Sequence, residues 1–318
     1  MASFLGIDLS KETFHASLLS DHAEAKKAFP NTPKGFEQLM SWLENRREVD
    51  VHVCMEATGA YWEALASYLH GLEQRVSVVN PARIKAFAQS ELLRTKTDAV
   101  DAALIARFCR SQSPEPWIPP SPEIRVLQAL MRHYEHLKTT RAQQSVYAHS
   151  SNAAIVTTSI REVIATLDEQ IAQVERKIRQ HFDDHPDLKR RRDLLTSIPG
   201  IGETTAGSIL SEIPHLDRFQ SAKAVAAFAG LSPRERRSGT SVHGRPRLCK
   251  TGNSRIRKAL YMPAMVALRF NPILRTFAER LVAAGKHKRL IIGAVMRKLL
   301  VLAFGILRSG VPFDATYA

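Results

Sequence analysis

The apolar positions of the first third fall into short runs with tight polar links. Ser3 to Ile7, Phe14 to Leu19 and Ala25 to Phe29 are three such runs, and Pro30 closes the last. They predict an antiparallel meander. Phe36, Leu39, Met40 and Leu43 then recur at helical spacing between Gly35 and Glu44. Val51 to Met55 and Val76 to Val79 return to strand character, with a helical stretch from Tyr61 to Leu72 between them. A mainly helical segment follows. The predicted order is β-β-β-α-β-α-β-α.

Five prolines between Ser113 and Pro122 interrupt this pattern. Proline fixes φ and cannot continue a helix or a central strand, so the stretch reads as a linker or stiff boundary. A long helix is predicted next, with Ile124, Leu127, Met131, Tyr134 and Leu137 on one face. After a polar interruption from His149 to Thr158, Ile160, Ile164, Leu167, Ile171, Val174 and Ile178 are spaced 4, 3, 4, 3 and 4. That is the seam of a coiled coil. It wants a partner helix, either its neighbour at 122 to 148 or the same helix of another subunit.

In the last third, Ser197-Ile198-Pro199-Gly200-Ile201-Gly202 precedes a helix predicted from Glu203 to Ile213. Glycines entering a helix expose amides that can bind phosphate. The string resembles the turn of a helix-hairpin-helix element, and a plain tight turn reads equally well. Ala224 to Leu231 is small and apolar, suited to close helix packing. Val266 to Gly310 reads as helical and partly core, with Leu290, Ile291 and Val295 inward. Its longest apolar run, Leu299 to Leu307, is nine residues and predicts no bilayer span.

Charge changes this picture. Lys plus Arg is 45 against 31 Asp plus Glu, a net +14. Such an excess points to a polyanionic partner, nucleic acid before an anionic membrane. No basic flank precedes an apolar N-terminal core, so no secretory signal is visible. Cys54, Cys109 and Cys249 show no paired spacing, which suits a reducing cytosol. The positive charge concentrates between Ser232 and Leu260. Nine cations stand there against the single acid Glu235: Arg234, Arg236, Arg237, Arg245, Arg247, Lys250, Arg255, Arg257 and Lys258. Ser238-Gly239-Thr240-Ser241 is embedded among them, so this reads as a cationic, glycine-rich loop able to receive a phosphodiester. On residue chemistry alone, Ser238 there merely touches phosphate.

Four acids carry the candidate chemistry. Asp8 ends the first strand and Glu56 the fourth, where loops of α/β sheets build sites. Asp98 and Asp101 are three apart, one turn on a common helix face. Paired carboxylates repel, and a hard cation such as Mg2+ relieves the repulsion through oxygen ligands. The bland alternatives are a turn cap at Asp8, a surface acid at Glu56 and a solvated pair at Asp98 and Asp101.

The strings Gly6-Ile7-Asp8-Leu9-Ser10-Lys11, Met55-Glu56-Ala57-Thr58-Gly59-Ala60-Tyr61 and Lys96-Thr97-Asp98-Ala99-Val100-Asp101 resemble the three blocks of the DEDD transposases of the insertion-sequence-one-ten type. Arg237-Ser238-Gly239-Thr240-Ser241-Val242, Lys250-Thr251-Gly252-Asn253 and Arg257 to Ala264 resemble the C-terminal domain of the same family. The resemblance runs from near residue 5 to near residue 314.

It implies an α/β plus α chain: a ribonuclease-H-like (RuvC-like) domain at 1–118, a helical coiled coil at 119–190 and a mainly helical transposase domain at 191–318. It further implies Mg2+ held by Asp8, Glu56, Asp98 and Asp101, and Ser238 as nucleophile, with Ser241 the competing serine. Lys96, Gly200, Gly202 and the nine cations would contact nucleic acid. The implied partners are donor and target DNA, a bridge RNA acting as guide, and further copies of the chain as a dimer or tetramer. The implied setting is the bacterial cytoplasm, away from membrane. Two alternatives stay open from the residues: a metal-dependent nuclease or junction resolvase using water, and a non-enzymatic nucleic-acid-binding oligomer.

Overall fold

The computed structural model describes residues 3–20, 24–48, 50–92, 97–238 and 242–316, without the side chains of 235–238 and 242–246. The chain divides into two units, Met1–Pro119 and Pro120–Ala318.

In the first unit, β1 (Ser3–Leu9), β2 (Thr13–Leu19) and β3 (Glu24–Pro30) form the expected meander. Then come α1 (Pro33–Glu44), β4 (Val51–Glu56), α2 (Glu63–Gly71), β5 (Arg75–Val79), α3 (Pro81–Ser90) and α4 (Asp98–Gln112). The sheet order is β3-β2-β1-β4-β5, with β4 parallel to both β1 and β5. Residues 51–55 of β4 are all buried, as a central strand covered on both faces requires. β3 lies at the edge and is largely exposed, with Lys26 and Lys27 blunting further pairing.

Side chains alternate across the strands, so the sheet has two cores. On one face Leu5, Ile7, Val53 and Met55 pack with Phe36, Leu39 and Leu43 of α1 and Leu65 and Leu69 of α2. On the other, Cys54 and Val79 pack with Ile84 of α3 and Leu104, Ile105 and Phe108 of α4. Gly6 marks where α4 crosses β1: a Cβ there would lie 2.1 Å from the Ala102 carbonyl oxygen. This mixed sheet with its helices is consistent with a RuvC-like fold. The proline-rich stretch is strapped to β5, with Ser77 Oγ donating to the carbonyls of Pro114 and Glu115 and Trp117 N to that of Val76.

Among its described residues the second unit is helical apart from one hairpin. α5 (Pro122–Ser150) and α6 (Ala154–Asp184) run antiparallel. Tyr134 Oη donates to Glu175 at 2.8 Å, and Arg141 pairs with Asp168 through two hydrogen bonds. The five apolar residues expected on one face of α5 are its buried ones. On α6, Ile160, Val174 and Ile178 are buried and Ile164, Leu167 and Ile171 half-buried. The partner of the heptad seam is therefore α5 of the same chain.

α7 (Pro186–Thr196), α8 (Glu203–Glu212) and α9 (Ala222–Phe228) lead to a hairpin of β6 (Pro233–Ser238) and β7 (Val242–Leu248). α10 (Ser254–Ala259), α11 (Tyr261–Phe270), α12 (Pro272–Ala283) and α13 (Lys288–Ser309) complete the unit. One expectation is extended here and one corrected. The nine-residue apolar run is part of the 22-residue α13, which is long and apolar enough to cross a membrane. More than half of its most apolar window is buried, in the core shared with α7, α9, α11 and α12. Leu290, expected inward, is exposed, whereas Ile291 and Val295 are buried.

Candidate active site

β1 and β4 deliver two of the four acids to one edge of the sheet. Ile7 pairs with Met55 in the parallel register, so Asp8 and Glu56 follow on neighbouring strands at the same end. Both are half-buried. Glu56 also accepts a hydrogen bond from the Thr58 hydroxyl. Across the antiparallel pair, Asp8 stands opposite His15.

α4 brings the second pair. Thr97 caps it by accepting from Val100 N, so Asp98 and Asp101 occupy the first turn. Carboxylates are favoured there by the helix dipole whatever else they do. Asp98 is exposed, and its Oδ2 lies 3.6 Å from His15 Nε2. Asp101 is half-buried one turn further on. Lys96 lies outside the described residues.

Asp8, Glu56 and Asp98 thus reach one region at the strand ends through register, strand pairing and the approach of His15 to Asp98. Four carboxylates are the all-oxygen set that suits a hard cation. Among the described residues, no group of three or more His, Cys, Asp or Glu side chains is close enough to hold a metal ion. The donors fit Mg2+ in kind, and Asp98 is engaged by the His15 imidazole.

The cationic segment is not the loop that its composition predicts. Ser238 is the last residue of β6 and pairs with Val242, while residues 239–241, Ser241 included, lie outside the described residues. Arg234 stands opposite Arg247, Arg236 opposite Gly244 and Arg237 opposite His243, with a bulge between Arg234 and Arg236. Like charges directly opposite one another destabilise a ladder unless a counter-charge lies over them. Arg234 and Arg247 are exposed, while the side chains of Arg236, Arg237, Ser238 and Arg245 are outside the description.

The base of this hairpin is tightly fastened. Cys249 N donates to the Ser232 carbonyl and Lys250 N to that of Gly230. Lys250 is exposed, with φ +58°. Arg257 donates through one guanidinium nitrogen to the buried Ala229 carbonyl at 2.9 Å and to those of Gly252 and Asn253 at 3.5 Å. Asn253 caps α10 and donates to Glu212 at 2.7 Å. Arg255 lies 3.5 Å from the same carboxylate, and Lys258 pairs with Glu135 at 2.7 Å. Arg257, expected to meet nucleic acid, is committed to the fold at this root. The alternation that marks β6 and β7 was hidden because both strands are arginine-rich and carry little apolar signal.

Gly200 has φ +108°, and a Cβ on it would lie 2.8 Å from Ala267 Cβ, so close packing on α11 requires glycine. Gly202 faces open space and starts α8 with no side-chain cap.

Two transposase family models match the chain. Residues 5–151 match the family model of the DEDD transposases of the IS110 type, and residues 192–279 match that of the IS116/IS110/IS902 transposases. The pilin gene-inverting proteins of Moraxella lacunata and Moraxella bovis are each 36% identical over 98% of both chains.

The chain belongs to the IS110 family of transposases.

A transposase for insertion sequence element IS1328 from Yersinia enterocolitica is 22% identical, again over 98% of both chains. The IS110-type N-terminal match spans all four acids, and the second match spans Gly200, Gly202, the arginine hairpin and Ser238. Sequence reasoning missed His15, whose position is significant only once β2 is laid beside β1. It also missed Asn253 and Glu212, which act at the hairpin root through contacts 41 residues apart.

Proposed function

We propose that this IS110-family transposase excises and inserts a mobile element by cutting and rejoining DNA through a covalent serine–DNA intermediate. The observation that carries this reading is the shared sheet edge of Asp8 and Glu56, with Asp98 held beside Asp8 through His15. Asp8, Glu56, Asp98 and Asp101 are the residues that would hold Mg2+. A bound Mg2+ would supply Lewis-acid stabilisation of the scissile phosphate.

Ser238 is the proposed nucleophile. Its Oγ forms a bond to phosphorus as the bond to one strand end breaks, and the serine proton passes to the leaving oxygen. Attack by a strand-end hydroxyl reverses the exchange and frees the serine, so no bond energy is lost to water. The arginines of the β6–β7 hairpin would offset charge that grows on the phosphoryl oxygens.

The working division is a RuvC-like domain at 1–118, a coiled coil at 119–190 and the C-terminal transposase domain at 191–318. A bridge RNA pairing with donor and target DNA, and a dimer or tetramer in the cytoplasm, complete the reading. Lys96 and the exposed cations of the basic segment are the proposed nucleic-acid contacts.

The test is recombination of a plasmid carrying the element's own junction. Wild type should recombine it in Mg2+, and Asp8→Asn, Glu56→Gln and Ser238→Ala should each abolish the product. Recombination that survives Asp8→Asn and Glu56→Gln together would overturn the assignment of the acids.

A further inference from the structure

A groove of about 500 Å3 opens between α5, α8 and α10. Four cations line it, Arg132 and Lys138 from α5 and Arg255 and Lys258 from α10, against two carboxylates, Glu135 and Glu212. The charges do not cancel. Glu212 is largely buried and serves two guanidiniums, Arg132 at 3.9 Å and Arg255 at 3.5 Å. Lys258 is balanced by Glu135 at 2.7 Å. Lys138 is exposed, and its ammonium is steered by Tyr134, 3.4 Å from the phenol oxygen and 5.3 Å from the ring centroid. Among the lining residues two positive charges are therefore in excess, with the Glu175 carboxylate behind the Tyr134 hydroxyl offsetting part of that excess.

Its remaining lining suits the same kind of ligand. Met131, Ala142 and Ala259 add apolar lining, and Thr204 and Thr205 add hydroxyls from α8. Cations interleaved with apolar and hydroxyl groups match a strand of nucleic acid, whose backbone carries both phosphates and sugars. The cations are also held in advance, three by carboxylates and one by a ring, so less side-chain freedom is lost on binding.

We infer that this groove holds the sugar–phosphate backbone of one nucleic-acid strand, with Lys138 contacting phosphate. The inference rests on the proposed function and deepens it. It adds α5, a helix of the expected coiled coil, to the surface that grips nucleic acid.

The experiment is fluorescence anisotropy with the full chain, using labelled duplex DNA, single-stranded DNA and RNA of one sequence over a range of salt. Lys138→Gln should weaken binding about three- to tenfold for at least one probe and lower the salt slope by about 1. Lys138→Arg should bind as wild type does. Lys177→Gln, an equal loss of charge on the exposed side of α6, should change neither quantity. Melting temperatures of the variants should match wild type, which separates contact from folding. If wild type binds none of the probes, the proposed function itself fails. If wild type binds and Lys138→Gln equals it in affinity and salt slope for every probe, the groove assignment fails and the function stands.

Discussion

The Asp98 carboxylate lies 3.6 Å from Nε2 of His15, and His15 is the residue opposite Asp8 across β1 and β2. One imidazole thus links the start of α4 to the strand end that carries the first acid. Imidazole is a softer donor than carboxylate, and Mg2+ prefers oxygen. Mg2+ should therefore raise the melting temperature of wild type, since a ligand bound only by the folded state contributes about 2.7 kcal/mol at a hundred times its Kd. Asp8→Asn and Asp98→Asn should lose that rise, and His15→Ala should keep it. Loss of the rise in His15→Ala would make the imidazole part of the ion's site.

The docking of α4 depends on a residue without a side chain. A Cβ at Gly6 would meet the Ala102 carbonyl at 2.1 Å and Ala106 N at 2.2 Å, both backbone atoms that cannot step aside. Gly6→Ala should cost about 1–3 kcal/mol or more, as overpacking does, and shift the acids of α4 away from Asp8 and Glu56. Gly71→Ala meets nothing within 4 Å and should be neutral or stabilising by up to about 1 kcal/mol. Urea unfolding of both variants checks the pair. Equal stabilities would mean that α4 does not bear on β1 so closely.

The α5–α6 hairpin should loosen in acid. The Arg141 guanidinium holds the Asp168 carboxyl below the usual carboxylate range. A lowered pKa in the folded state gives stability that is present above the unfolded value, and it is lost as pH falls through the folded value. Both side chains are part-exposed, so solvent screens the pair and the effect is small. Wild type should exceed Asp168→Asn in stability at neutral pH, and the difference should vanish below the carboxylate range. Thermal melts across that range would show it. A difference that persists in strong acid would contradict the assignment.

Arg257 should behave as a fold residue and not as a surface charge. Its guanidinium serves the buried Ala229 carbonyl, which would be left without that donor in Arg257→Ala. An unsatisfied buried acceptor costs about 1–3 kcal/mol. Lysine keeps the charge, but its shorter side chain ends before the guanidinium nitrogen that meets all three carbonyls, so Arg257→Lys should remain destabilised. Full stability in Arg257→Lys would return Arg257 to the role of a simple cation.

How much of this was legible depends on the kind of signal each element carries. The first five strands were readable as short apolar runs between turn residues, and the buried face of α5 because its apolar residues keep a clean period. Ile124, Leu127, Met131, Tyr134 and Leu137 announce their helix face directly. The sheet order was not readable: β4 returns beside β1, and that parallel pairing leaves no local trace. Hence Asp8 and Glu56 could be named singly, while their common edge needed the fold. β6 and β7 were missed because arginine alternates with arginine, serine and glycine, leaving no apolar face. The apolar length of α13 was read short because Arg297 and Lys298 interrupt its apolar run without breaking the helix. Lys138 carried no signal at all, since a lysine on a long helix reads as solvated surface until α8 and α10 are seen to border the same groove.

The proposed covalent link through Ser238 is expected to require Asp8, Glu56, Asp98 and Asp101. The most direct measurement mixes the purified protein, with its copurifying RNA, with labelled DNA bearing the element's junction and Mg2+. Quenching in denaturant and resolving DNA from protein reveals any adduct, which peptide mapping assigns. The account predicts an adduct at Ser238 in wild type, absent from both Ser238→Ala and Asp8→Asn. Cut DNA with no adduct, lost in Asp8→Asn and retained in Ser238→Ala, would contradict it and make water the nucleophile.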